Sequence, residues 1–246
     1  MCIRDSFDPD VEFPEYYQRD FHAYTGGNLN PVASKEAMSA TSAVMNHHYK
    51  HLSGEESSHY IRSVHSVMSL GRSIDETEDN EKKVVVDFGC GIGVSTRYLR
   101  DSFKNAKVVG IDLSPLFLEE TDGVDAEFVH GNIENTGIES GSVDVVSISY
   151  VLHELPYEVS RKVIKEASRI LKPGTGVFSI LDMHEPTSSS PVMRYIFDRT
   201  EPYLNEFSSL LRKMSQDLQE SGFRDVRITT EFPKTIMVLS SKRKVL

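Results

Sequence analysis

The sequence predicts an α/β protein: a doubly wound, mostly parallel seven-stranded sheet with an antiparallel C-terminal hairpin at its edge, plus an N-terminal helical cap. Three observations carry that prediction. Between residues 84 and 183, short apolar runs alternate with helix-period segments, the pattern of right-handed strand–helix–strand crossovers. The first run, "VVVDF", leads straight into "GCGIG", with glycines at every second position ahead of a helix. The charged stretch "DETEDNEKK" (75–83) has no apolar face and divides this region from an N-terminal one with helical periodicity. The chain is therefore read as a cap and linker, 1–82, followed by a sheet domain, 83–246.

In the cap, "TGGNLNP" (Thr25–Pro31) is a loop by its glycines, asparagines and proline. After it, Ala33, Ala37, Val44, His48 and Leu52 fall on one helical stripe, and Tyr60, Ile61, Val64, Val67, Met68 and Gly71 on another. Val84–Phe88 is a continuous apolar run, as in a strand buried on both faces. "AKVVGID" (106–112), "AEFVHG" (126–131), "VDVVSISY" (143–150) and "GVFSILDM" (176–183) are the next four strands. Val94, Tyr98 and Phe103 share a helix face, and the gap after Asp112 leaves room only for a stub of helix behind "LSP". Val159, Val163, Ala167, Ile170 and Leu171 share another, in a helix that stops at "KPG" (172–174). Leu204, Phe207, Leu211, Met214 and Leu218 mark an amphipathic helix ending at Gly222, and "VRITTEF" (226–232) and "TIMVLSS" (235–241) form the hairpin.

Composition narrows the function. The chain has 246 residues and a formal net charge of −10, so it offers no basic footprint for a nucleic acid. No stretch reaches the roughly 18 apolar residues of a membrane span. The polar, acidic start "MCIRDSFDPD" has no apolar core of a secretory signal, and residues 1–6 are left out of the fold reasoning. Two cysteines, Cys2 and Cys90, make no disulfide framework, and the expected location is the cytoplasm.

In an open parallel sheet, ligands bind beyond the carboxyl ends of the strands. Gly89, Gly91 and Gly93 let a ligand lie against the backbone there, and the following helix start offers free N–H groups. A dinucleotide site asks for G-x-G-x-x-G; here the third glycine comes one residue early, and the pattern is D-x-G-x-G-x-G with Asp87 at its head. Asp112 ends the second strand, where a carboxylate can accept both hydroxyls of a ribose. Asn132, in "HGNIE" after the third strand, carries a donor and an acceptor suited to an adenine edge. Together these describe a nucleoside with a short zwitterionic tail.

"VVVDFGCGIGVSTRYL", "VVGIDLSP", "HGNIENTGIESGSVDVVSISYVLHELP" and "ASRILKPGTGVFSILD" resemble the successive motifs of the class I S-adenosylmethionine-dependent methyltransferases, which have a Rossmann-like fold. The resemblance covers about 84–184, is nearest to the small-molecule, quinone-biosynthesis-like branch, and extends through "YYQRDFHAYTGGNLN" and "EPYLNEF…LQESGF" to a cyanobacterial and algal subgroup. It implies S-adenosylmethionine as cofactor, with Gly89, Cys90, Gly91 and Gly93 along the methionine moiety and Asp112 on the ribose. It further implies Leu113, Asn132 and Ile133 at the adenine, and Tyr150 near the transferred methyl. Many relatives carry Asp where Asn132 stands, which changes the donor–acceptor balance there.

Other features carry blander readings. Cys90 is a small filler between glycines. His47 and His51 have the helical spacing of a zinc pair but no marked third ligand, so no metal is expected. His153 after the fourth strand, His184 after the fifth and His22 in the cap are candidate catalytic residues facing the acceptor. The cap and "PTSSSPVMRYIFDRTEPYL" form the expected lid, whose Met193, Tyr195, Ile196, Phe197 and Tyr203 suit a small apolar or aromatic methyl acceptor. Two rivals are an oxidoreductase, disfavoured by the glycine spacing, and a non-catalytic, regulatory protein that only binds the cofactor. The sequence leaves the oligomeric state open.

Overall fold

The structure is a computed structural model and describes residues 8–49, 51–73, 83–184, 195, 199–230 and 235–242, apart from the side chains of residues 44, 47 and 48. After two short 3-10 turns (Glu15–Gln18 and Gly27–Leu29) come two α-helices, α1 (Pro31–His48) and α2 (Gly54–Ser73). Then follow β1 (Val84–Phe88), α3 (Val94–Ser102), β2 (Lys107–Asp112), the stub α4 (Pro115–Leu118), β3 (Glu127–His130) and β4 (Val145–Ser149). The chain continues with α5 (Tyr157–Ile170), β5 (Val177–Met183), α6 (Leu204–Glu220), β6 (Phe223–Thr229) and β7 (Thr235–Lys242). The seven strands form one sheet in the order β3-β2-β1-β4-β5-β7-β6, parallel from β3 to β5. β7 is antiparallel to both β5 and β6, so the hairpin closes one edge.

The period of the strands sorts the core into two layers. Val86, Val146 and Phe178 lie in register and pack with the apolar face of α5 and α6. Their neighbours Val85, Val145 and Val177 point the other way, toward Leu99 and Phe103. Chain order reverses between β1 and β4, and the crevice beyond their carboxyl ends is where an open α/β sheet receives a ligand.

Three helical faces differ from the expected stripes. α2 buries Ser57, Ser58, Ile61, Arg62, His65, Ser66 and Ser69, while Tyr60 and Val67 are 45% and 59% exposed. The reason is a serine-lined contact in which hydroxyls pair across the packing: Ser69 Oγ lies 2.6 Å from Ser179 Oγ on β5, and Ser66 Oγ 2.9 Å from Ser102 Oγ on α3. α3 buries Thr96 and Leu99 because Val94 faces a cavity instead. In α6 it is Leu210 that is fully buried, and Leu211 only packs on the rim of the core. Lys83, assigned above to a solvated linker, is buried and donates from Nζ to the Ser73 carbonyl at 2.8 Å.

Candidate active site

A cavity of about 620 Å³ opens at the crevice between the β1 and β4 ends. Its floor is the loop after β1. The Gly89 and Cys90 N–H groups both donate to the Ile111 carbonyl, which pins the loop to β2. Gly91 has φ +54°, and a Cβ there would meet only the Phe117 ring at 3.6 Å, so its open side belongs to the cavity. Cys90 lines the cavity and fills the notch left by Gly110, where a Cβ would come within 2.9 Å of its sulfur; burial pushes its thiol up. Nothing in the sequence marks Gly110, since a glycine inside a strand carries no motif of its own.

Two expected cofactor residues lie beneath the floor, outside the cavity lining. Gly93 (φ +78°) turns the chain into α3, and a Cβ there would press to 3.1 Å on the Phe128 ring. Asp87 is buried and accepts from Thr96 Oγ1 at 2.7 Å, while its other oxygen has no hydrogen-bond partner. Burial raises the Asp87 carboxyl to about 7.

Asp112 stands at the cavity wall with one oxygen accepting the Gly91 N–H at 2.7 Å and the other the Ser114 N–H at 2.8 Å. Burial raises it to about 6 against the pull of those two amides. Leu113, Ile133 and Asn132 also line the cavity. Asn132 Oδ1 already accepts the Glu134 N–H at 2.8 Å, an Asx turn that leaves the amide NH₂ as its freer group.

Residues of the N-terminal segment line the cavity opposite this floor. Ser114 Oγ donates to the Asn28 carbonyl at 2.6 Å, and Tyr16 donates to Glu134 at 2.8 Å, so the N-terminal turns are tied across the floor. From α1, Ala33, Ala37, Ala40 and Met45 face the cavity; from α2 comes Arg62. The Arg62 side chain is buried, its guanidinium 4.8 Å above the Tyr150 ring and one N–H on Ser95 Oγ at 3.1 Å. Its Nε has no partner, and among the described residues no carboxylate is within ion-pair distance of it. Nothing in the sequence marks this arginine, because a charge on an amphipathic helix reads as solvent-facing.

At the far end stand the histidines. Tyr150 (φ +56°) and His22 (φ +50°) hold left-handed backbone, a strained conformation for non-glycine residues. His153 is buried with Nδ1 on Asp182 at 2.7 Å. Burial opposes its charge, but the Asp182 carboxylate outweighs that and raises it. His22 contacts Glu154 at 3.1 Å and Glu201 at 3.0 Å. Burial again opposes the charge, and the two carboxylates raise His22 to about 10, although its side chain is 40% exposed and water screens part of that pull. His184 is not among the cavity-lining residues; Met183 beside it is. Tyr203 lines the cavity, Tyr195 is 62% exposed on the surface, and residues 193, 196 and 197 lie outside the described residues. The side chain of His47 is likewise outside them.

Comparison with known proteins agrees with this architecture. Residues 85–174 match the family model described as a methyltransferase domain. The chain is 34% identical over 161 residues to a demethylmenaquinone methyltransferase of Lactococcus lactis, covering 60% of this chain and 62% of that one. It is 29% identical over 137 residues to a chloroplastic tocopherol O-methyltransferase of Arabidopsis thaliana, covering 52% and 38%. It thus spans about three fifths of the first of these relatives and under two fifths of the second. Among solved structures, the CurJ carbon methyltransferase superposes with a TM-score of 0.62 at 16% identity, over 93% of this chain and 66% of that one. A putative S-adenosylmethionine-dependent methyltransferase of Methanococcus maripaludis gives 0.57 at 15%, over 89% and 95%. Residues 85–174 are thus similar to a methyltransferase domain, and the chain shares the Rossmann-like fold of these solved structures. Among the described residues no helix is long and apolar enough to cross a membrane.

Proposed function

We propose that the protein transfers a methyl group from S-adenosylmethionine to a small, apolar or aromatic metabolite. The observation that carries this reading is the floor: a cavity-facing Gly91 whose N–H is locked to a buried carboxylate, Asp112, at the switch point of the sheet. The residues fit the cofactor. The cavity is in the range that takes a ligand of this size. Asp112 has lone pairs left for two ribose hydroxyls, and Arg62 is a buried cation with unused N–H groups for the carboxylate of the methionine tail. Bound there, S-adenosylmethionine supplies a methyl on a positively charged sulfur, already activated for displacement.

The chain's own task is alignment and exclusion of water. Placing two reactants in line is worth up to about 7–11 kcal/mol. The Asn28 and Tyr16 ties hold the roof shut over the floor, and the α1 alanines keep that roof close and dry. His153, held by Asp182, and His22 stand at the acceptor end, where they orient a polar atom of the acceptor. The apolar walls, Val151, Leu155, Met183 and Tyr203, favour an apolar or aromatic body. The low cysteine count fits a reducing compartment, and with it the cytoplasm.

Calorimetry with S-adenosylhomocysteine tests the reading, together with methyl transfer from labelled cofactor to a metabolite extract. We expect saturable binding that Asp112→Ala weakens by about 1.5–3 kcal/mol, the worth of hydrogen bonds to a charged group. Absence of binding by the folded protein, or NAD binding in its place, overturns the proposal.

A further inference from the structure

We infer that His22, His153 and Glu154 form a binding site for one divalent transition-metal ion at the acceptor end of the cavity. The three offer His22 Nε2, His153 Nε2 and a Glu154 carboxylate oxygen, all within 4.8 Å of one another. His22 Nε2 is 3.1 Å and His153 Nε2 3.9 Å from that same oxygen. Ligands placed about 2.1 Å from one ion at tetrahedral or octahedral angles stand about 3.0–3.4 Å apart, so only small side-chain rotations separate this cluster from a coordination shell.

The second observation lies behind the ligands. A metal-bound histidine characteristically gives its other ring nitrogen to a carboxylate, which sets tautomer and ring orientation. Here both do: His153 Nδ1 is 2.7 Å from Asp182, and His22 Nδ1 is 3.0 Å from Glu201. Glu154 is oriented in turn, its second oxygen accepting from Asn28 Nδ2 at 2.8 Å. Every ligand is thus held by its own partner. With neutral imidazoles, three carboxylates meet in one partly closed pocket, a charge that a divalent ion offsets. His22 adopts φ +50° to reach this position, a backbone cost that persists only where the surroundings impose it.

All three ligands line the cavity, so the ion's remaining positions face the acceptor. An imidazole–imidazole–carboxylate set with open positions suits Zn²⁺, Co²⁺, Fe²⁺ or Ni²⁺ better than Mg²⁺ or Ca²⁺. The role it implies is to hold and polarise an oxygen or sulfur of the acceptor next to the methyl donor. The pattern is invisible in sequence, since His22 and Glu154 are separated by 132 residues and His153 and Glu154 are merely adjacent.

The test is metal binding itself, on the full chain carrying no histidine tag and stripped with a chelator. Titration with Co²⁺, followed by its visible absorption and by calorimetry, is expected to saturate at one equivalent. Glu154→Gln and His22→Asn should each abolish that equivalent, and Glu201→Gln, which acts only through His22, should weaken it about 10–100-fold. His59→Ala, a surface histidine bonded to Tyr98, should bind as the parent does. Thermal melts confirm that each variant is folded, and Glu201→Gln keeps the test decisive if a ligand variant is not. Absence of saturable binding overturns the site and leaves the cluster held together by protons. Binding that survives all three substitutions places the ion elsewhere and overturns it equally. S-adenosylhomocysteine calorimetry on the same stripped protein separates failure of this site from failure of the methyl-transfer reading.

Discussion

α5 and α2 cover opposite layers of the same sheet and do so by opposite means. α5 buries Val159, Val163, Ile164, Ala167 and Ile170, an apolar stripe against β4 and the C-terminal helix. α2 buries one large aliphatic, Ile61, and otherwise serines, Arg62 and His65. The first helix holds the fold by removing hydrocarbon from water. The second gains little of that and is fixed by hydroxyl pairs: Ser179 Oγ is 2.6 Å from both Ser69 Oγ and His65 Nε2. A polar face makes sense for a helix that must also carry a guanidinium to the cavity roof. The contrast teaches that burial alone does not separate scaffold from site; the chemistry of what is buried does.

The sharpest way to break the comparison is truncation. Ile164→Ala should cost about 2–5 kcal/mol in urea unfolding, the usual range for a fully buried aliphatic, and leave the cofactor affinity of the folded fraction unchanged. Arg62→Met should do the reverse. Cofactor affinity should fall by about 1.5–3 kcal/mol by calorimetry. Its melting temperature should hold or rise, because removing a buried charge that has no ion-pair partner relieves a desolvation cost. If Arg62→Met instead melts like Ile164→Ala with affinity intact, α2 is scaffold after all.

Ser69→Ala should destabilise by about 1 kcal/mol, one hydrogen bond's net worth, since Ser179 keeps His65 as a partner. The smallest net effect is on pH dependence. Burial first, and then the Arg62 charge, lower His65 to about 3, so the native state holds fewer protons than the unfolded one between about 3 and 6.5. Its contribution to stability is therefore complete above 6.5 and is lost as pH falls through that window. Asp87, raised to about 7, works against it: the native state keeps a proton the unfolded state loses above 3.8, so its contribution falls as pH rises from 3.8 to 7. Each slope is at most about 1.4 kcal/mol per pH unit, and the two oppose across most of their range. Asp87→Asn should gain stability relative to the parent at pH 8 and lose that gain by pH 3.5. His65→Gln should remove the acid-sensitive limb. Parallel melting curves across pH for all three proteins would show that neither group titrates as described.

Much of the floor was legible because it is local. Asp87 to Gly93 is one strand end and one turn, and Asp112 and Asn132 each follow the next strands in order. Backbone requirements of this kind are written in consecutive residues, as is the period that separates strands from helices. Even here, contacts reassigned particular residues. Gly93 serves packing under Phe128, and Asn132 spends its carbonyl on a turn, distinctions that depend on what lies opposite.

The sequence by itself determined the sheet with its crossovers, the antiparallel edge, the glycine loop and the carboxylate that ends β2, since each depends on short-range periodicity and turn chemistry. Only the tertiary structure decided that α2 buries its polar face, that Arg62 reaches the cavity, and that His22 meets Glu154 and Glu201. Those pairings join residues 132 and 179 positions apart, and a side chain's partner across such a distance is set by how the layers close and not by its neighbours along the chain.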